Sequence, residues 1–274
     1  MKHTFSICAY KDSPYIEDCI VSLENQAIKS NIIMCTSTPS SYLSKLAERH
    51  GIRLYVREGK SSLFDDWNFA AEKAVSETNA ELVTIAHQDD IYERNYTRAL
   101  AKAVRIYPDM SLFCTRYRTI DKDGKLIQGR AEHVKRVLRT LLRMRRLADK
   151  RIIKRSALIL GNGICCPSCT YNIKLTGLPV FKNKEHFVID WETLLRLADE
   201  PGRFVCVERE LMDYRIHDGA ETKKNIDNHN REHEEYAVFK GIWPAPVAWL
   251  IMRFYRLSYS AYGSKDSKAD AQAL

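Results

Sequence analysis

The sequence has no apolar run long enough to cross a bilayer, which excludes a membrane-spanning helix within these 274 residues. It shows no apolar leader: Met1-Lys2-His3 runs straight into a strand-like segment, so no secretion signal is expected. No internal repeat is present, which removes solenoids and propellers. Gly59-Lys60-Ser61 lacks the glycine that a phosphate-binding loop needs five residues earlier, where Leu54 stands. Cys166-Pro167-Ser168-Cys169 is a C-x-x-C, but no second pair stands at zinc-site spacing and no helix opens on it. The eight cysteines are therefore expected to be reduced core thiols.

What is present is ample apolar material for a core, 45% of the residues. Lys and Arg number 43 against 35 Asp and Glu, a net charge of +8. That surplus points to an anionic partner: a nucleotide, nucleic acid or an anionic membrane surface, of which the reading reached below expects no nucleic acid.

Residues 82–86, Leu-Val-Thr-Ile-Ala, read as a short buried strand. It ends in His87-Gln88-Asp89-Asp90. Two carboxylates at the mouth of a buried strand are costly unless something positive binds them, and a divalent cation suits carboxylate oxygen. A solvated acidic turn capping a helix over residues 93–107 accounts for the same residues.

Further strands are expected over residues 4–10, 31–36 and 52–56, and helices over 41–50 and 63–76. A first helix should start at Ser13-Pro14, with Ser13 as N-cap. Strict alternation predicts a parallel sheet with helices on both faces. Ala9-Tyr10, Thr36-Ser37-Thr38, residues 57–60 and residues 87–90 should then line one crevice.

The second half is less regular. A strand is expected over 111–117, with a hairpin turn at Asp121-Lys122-Asp123-Gly124. Residues 132–148 read as a basic amphipathic helix. Val134, Val137, Leu138, Leu141 and Leu142 form one face; Lys135, Arg136, Arg139, Arg143 and Arg146 form the other. A helix over 190–199 and strands over 203–207 and 211–216 follow, with His217 closing the last. The stretch 243–262 is rich in aromatics, and the polar end from Ser264 is expected to be disordered.

Together these residues resemble the inverting family 2 glycosyltransferases of GT-A fold. Residues 5–26 resemble their opening strand, nucleotide loop and first helix, and Phe64-Asp65-Asp66-Trp67-Asn68-Phe69-Ala70 the segment before their metal strand. His87-Gln88-Asp89-Asp90 takes the place of their D-x-D motif. Asp190-Trp191-Glu192 is similar to their catalytic-base motif, and Tyr214-Arg215-Ile216-His217 to a late histidine motif. The resemblance covers residues 4 to 220.

It implies an α/β fold of GT-A type: a Rossmann-like, mostly parallel sheet with helices on both faces and a C-terminal helical appendage. The catalytic domain would span 1–220, with a donor half over 1–117 and an acceptor half over 118–220. A helical segment over 221–263 and a tail over 264–274 would follow. It further implies a nucleoside-diphosphate-sugar donor, Mg²⁺ or Mn²⁺, and inversion at the sugar carbon. Asp190 would be the general base, with Glu192 as rival, and Asp89, Asp90 and His217 the metal ligands. Ala9, Tyr10, Asp12, Thr38, Lys60, Asn68, Asp89 and Asp90 would contact the donor.

Two departures matter. His87 replaces the first acid of D-x-D, so metal binding rests on Asp89 and His217, and His87 could itself be a ligand. Ser37-Thr38 stands where an acid is usual. Blander roles stay open: Asp190 as a helix N-cap, His217 as a hydrogen-bonded strand-end histidine, Trp67 as core, Asn68 as helix surface.

The expected acceptor is a lipid-linked or polysaccharide glycan of surface polysaccharide synthesis, met at the inner face of the cytoplasmic membrane. Two alternatives remain. A sugar-phosphate nucleotidyltransferase would carry a glycine-rich basic loop where Ala9-Tyr10-Lys11-Asp12 stands. A non-catalytic basic protein would bind membrane or nucleic acid through residues 132–155.

Overall fold

The first four strands are short apolar runs whose side chains alternate between two cores. In a computed structural model, which describes residues 1–127, 130–183, 188–217 and 230–256, they are β1 (His3–Ala9), β2 (Asn31–Thr36), β3 (Arg53–Val56) and β4 (Leu82–His87). β1 pairs parallel with β2 and β4, and β2 with β3. Between them lie α1 (Ile16–Glu24), α2 (Ser41–Arg49) and α3 (Leu63–Thr78). Ser40 and Ser62 cap α2 and α3 by accepting the Leu43 and Asp65 N–H groups.

Beyond β4 the direction changes. β8 (Thr170–Asn172) runs antiparallel between β4 and β6 (Met110–Ile120). β9 (Arg203–Arg215) lies parallel to β6, and β5 (Ile91–Tyr92) closes that edge antiparallel to β9. β7 (Leu126–Ile127) pairs back onto β6 through the turn at Asp121, as its sequence requires. Among the described residues the sheet has nine strands.

One core lies under α1, α2 and α4 (Tyr96–Ile106), and takes Leu82 and Ala86 of β4. The other takes Val83 and Ile85, and packs them with α3, α6 (Arg151–Ser156), α7 (Ile173–Thr176) and α8 (Ile189–Asp199). α9 (Asn230–Ile242) and α10 (Ala245–Tyr255) join this second core through Phe239, Ala248 and Met252. That is the mostly parallel sheet with helices on both faces, plus C-terminal helices, that the pattern predicts.

Several elements differ from expectation. The helix expected over 132–148 stops early: α5 (Arg130–Leu138) is followed by 3₁₀ turns at Thr140–Arg143 and Arg145–Leu147. The Arg139 side chain is drawn inside, 0% exposed, and donates to Glu132 at 2.7 Å and to the Gly163 carbonyl at 2.5 Å. Arg143 pairs with Glu208 and Lys135 donates to the Ile164 carbonyl, so much of the supposed solvent face is occupied. The two strands expected over 203–216 are one strand with bulges against β6. The helix expected at 93 begins at Tyr96, because Ile91 and Tyr92 pair with β9 instead. α1 begins at Ile16, and Ser13 is not its N-cap. The C-x-x-C forms a 3₁₀ turn, and all eight cysteines are free. The tail expected to be disordered from Ser264 lies outside the described residues, as do residues 218–229.

Candidate active site

The carboxyl ends of β1, β2 and β4 are knitted by side chains. Tyr10 donates its N–H to Gln88 Oε1 at 2.9 Å, and Gln88 Nε2 donates to the Tyr10 carbonyl at 3.0 Å. The Gln88 amide thus extends the ladder past the end of β1. Lys11, left-handed at φ 55°, donates its N–H to Thr38 Oγ1 at 2.7 Å. Ser40 donates to Asp12 at 2.5 Å. Ala9 is buried, Tyr10 is exposed, and Lys60 stands exposed on a loop tied down by Arg57.

Sequence reasoning missed the group that ties this rim together. Asp66 accepts from Ser37 at 2.9 Å, Ser61 at 2.7 Å and Arg57 at 2.7 Å, joining the exits of β2 and β3 to α3. Only Ser61 lies close in sequence, so no local pattern could reveal the hub.

Trp67 is core, packed on Phe181 with ring centroids 5.1 Å apart. Its indole lies 5.2 Å from the His87 ring. Burial pushes the His87 imidazole down to about 4, so it is neutral at pH 7. Asn68 corrects an expectation: its amide donates to the Phe181 carbonyl at 2.8 Å and accepts from the Phe181 N–H at 3.0 Å. Both ends serve buried backbone and the residue is 6% exposed, so Asn68 is a tie within the core and not a helix-surface residue.

Asp89 and Asp90 separate. Asp90 is 1% exposed, and its Oδ1 accepts the Arg215 N–H at 3.0 Å. Burial pushes its carboxyl well above the usual carboxylate range. It is held inside the fold, against the expectation of a metal or donor contact. Asp89 accepts from Ser13 Oγ at 3.1 Å through Oδ1, and its Oδ2 lies 3.1 Å from His217 Nε2. The Tyr15 ring backs His217, with centroids 4.8 Å apart.

Asp190 lies in the first turn of α8 but does not cap it; Val188 holds the N-cap position. Its Oδ2 accepts from Asn162 Nδ2 at 2.8 Å. Glu192 accepts from Asn183 at 3.1 Å. Burial first, then the charge of Asp190, pushes the Cys166 thiol well up, with a contribution from Cys8.

The residues fit a divalent ion in one respect. Among the described residues His217 Nε2 is buried with no hydrogen-bond partner, although a carboxylate oxygen is 3.1 Å away. Among the described residues no three His, Cys, Asp or Glu converge, so an ion on this pair would complete its shell with oxygen from elsewhere.

The parallel strands β3-β2-β1-β4 with helices on both faces, and an acid–imidazole pair at the exit of β4, are an architecture of GT-A type. The sequence matches the model of glycosyl transferase family 2 over residues 4–172, more than half of the chain, and the protein belongs to that family. It is a glycosyltransferase. No curated protein matches it by sequence. Among solved structures it is similar to TarS 1–349 from S. aureus in complex with UDP-GlcNAc, at 11% identity and TM-score 0.62, over 96% of this chain and 73% of that one. It is similar to mannosyltransferase PcManGT from Pyrobaculum calidifontis in complex with GDP-Man and Mn²⁺, at 15% identity and TM-score 0.60, over 100% and 75%. It is also similar to glucosyl-3-phosphoglycerate synthase from Mycobacterium tuberculosis in complex with phosphoglyceric acid, at 14% identity and TM-score 0.51, over 84% and 76%. At such identities the likeness is one of fold.

Proposed function

We propose that the protein is a metal-dependent, inverting hexosyltransferase that moves a sugar from a nucleoside-diphosphate donor to a hydroxyl acceptor. The observation that carries this is the Asp89–His217 pair, 3.1 Å apart at the exit of β4 with the imidazole nitrogen unsatisfied. A Mg²⁺ or Mn²⁺ ion held by Asp89 and His217 would supply Lewis-acid neutralisation of the departing diphosphate. The rim formed by Tyr10, Asp12, Thr38 and Lys60 would receive the donor, with Lys60 as a point charge near phosphate. Asp190, oriented by Asn162, takes the proton of the acceptor hydroxyl. The acceptor oxygen bonds to the anomeric carbon from the face opposite the leaving group, and the bond from that carbon to phosphate oxygen breaks.

The acceptor is a lipid-linked or polysaccharide glycan, met at the anionic inner face of the cytoplasmic membrane. Supporting this, α10 exposes Trp249, Leu250 and Phe254 beside Arg253, and α5 and its following turn expose Val134, Val137 and Leu141. The two meet at Gly161, where a Cβ would come within 2.5 Å of the Tyr255 ring and 3.5 Å of Leu138. No helix of the described residues is long and apolar enough to cross a membrane.

The test is a thermal-shift panel of nucleoside diphosphates with and without Mn²⁺, followed by donor hydrolysis. One nucleotide should stabilise the protein much more with Mn²⁺ than without. Hydrolysis unaffected by a chelator would refute the metal-dependent reading.

A further inference from the structure

Arg215 is the last residue of β9 and is only 3% exposed. Its backbone N–H donates to Asp90 Oδ1 at 3.0 Å, and its Nε donates to the Asp89 carbonyl at 2.9 Å. Nη1 reaches the carbonyls of Asp121 and Lys122 at 3.4 and 3.2 Å, and Nη2 donates to Asp18 at 3.1 Å. One guanidinium therefore joins the exit of β4, the β6–β7 turn and the start of α1. The Tyr15 ring lies under it at 4.5 Å, and the other neighbour of that ring is the His217 imidazole at 4.8 Å.

We infer that Arg215 is a positioning residue that holds Asp89 and His217 at the separation and orientation an ion requires. The inference rests on the reading of those two residues as metal ligands. Asp89 is held through its own carbonyl and through its neighbour Asp90. His217 is held through the chain, two residues on, and through the Tyr15 plate. Without these restraints a carboxylate and an imidazole 3.1 Å apart would rotate into an ordinary hydrogen bond. The pair keeps Nε2 unsatisfied instead. Lysine cannot replace this arginine, because a point charge lacks the planar fork that reaches four partners and stacks on a ring.

The experiment measures Mn²⁺ binding to the full chain by the electron paramagnetic resonance of free Mn²⁺, with no nucleotide. Arg215→Lys and Tyr15→Leu are compared with wild type and with Asp89→Asn. Melting temperature, and kcat and half-saturating Mn²⁺ for donor hydrolysis, are measured alongside. Partners that orient metal ligands are typically worth about 10–100-fold in metal affinity. Both variants should bind Mn²⁺ that much more weakly, shift half-saturation by the same factor, and recover most of kcat at saturating Mn²⁺. A folded Tyr15→Leu that binds Mn²⁺ as wild type does would overturn the inference even if Arg215→Lys failed to fold. So would a loss of kcat that excess Mn²⁺ does not restore. If wild type binds Mn²⁺ no better than Asp89→Asn, the metal reading falls first and takes this inference with it, a distinct result.

Discussion

His217 Nε2 lies 3.1 Å from Asp89 Oδ2, yet no hydrogen bond joins the two atoms. Two adjacent ligands of an octahedral ion at about 2.1 Å stand about 3 Å apart, each pointing at the ion. The pair has that separation and lacks the mutual alignment of a hydrogen bond. A buried imidazole nitrogen left unsatisfied costs stability, and an ion shared by Asp89 and His217 would offset that cost.

Asp89→Asn should therefore remove metal-dependent nucleotide binding while the fold stays intact. The side chain is half-buried at a turn, and among the described residues it accepts a hydrogen bond from Ser13. Loss of about 3 kcal/mol of charge stabilisation corresponds to about a hundredfold in rate. Calorimetry with nucleoside diphosphate and Mn²⁺ checks the binding, and donor hydrolysis the rate. Near wild-type hydrolysis would remove Asp89 from the mechanism.

Asp190→Asn should keep donor affinity and lose transfer by about a hundredfold or more, since the base acts on the acceptor alone. Glu192→Gln is the comparison, because Glu192 sits two residues on in α8 and is held by Asn183. A severe loss in Glu192→Gln beside a harmless Asp190→Asn would exchange their roles.

Asn68→Ala should destabilise without touching donor binding. It leaves the buried Phe181 N–H and carbonyl unpaired, at about 1–3 kcal/mol for such a loss. Urea unfolding would register the change, and an unchanged KM for donor would separate it from the site. A raised donor KM in the folded variant would return Asn68 to the donor contacts.

The first half of the fold was legible because β1 to β4 and α1 to α3 each carry a clean period and a turn signal. β5 and β8 were not, since two and three residues are too few to show any alternation. Arg139 misled for another reason. A basic residue on a helix reads as solvated unless its partner is seen, and its partners are Glu132 and the distant Gly163 carbonyl. Within the candidate site, Asp89 and His217 were both named from sequence and lie 3.1 Å apart, and the split between Asp89 and Asp90 was missed. Both residues lie past the end of β4, Asp89 in the turn and Asp90 just before β5, so strand alternation gave no signal for which would face inward.

The membrane proposal rests on other elements than the sequence suggested, and its test changes with them. The basic helix first invoked is broken, and Arg139 and Arg143 are held by Glu132 and Glu208. The apolar contribution now rests on α10, where Trp249 is 56%, Leu250 50% and Phe254 65% exposed. The opposite face of α10 is core: Ala248 is buried, and Tyr255 stacks on Trp191 at 6.0 Å. Removing the chain after Gly241 would thus unfold the second core and report nothing about lipid. Trp249→Ser with Phe254→Ser changes only the exposed face. Burying such a side chain is worth about 1.5–3 kcal/mol, and each cation near an anionic leaflet about 1 kcal/mol. The double variant should keep its melting temperature and lose at least about tenfold in binding to anionic vesicles. Wild type should co-sediment with anionic vesicles at low salt, more weakly at high salt, and little with neutral ones. Equal sedimentation of wild type and the double variant would move the contact away from α10. No sedimentation of wild type at low salt would leave the acceptor without a membrane.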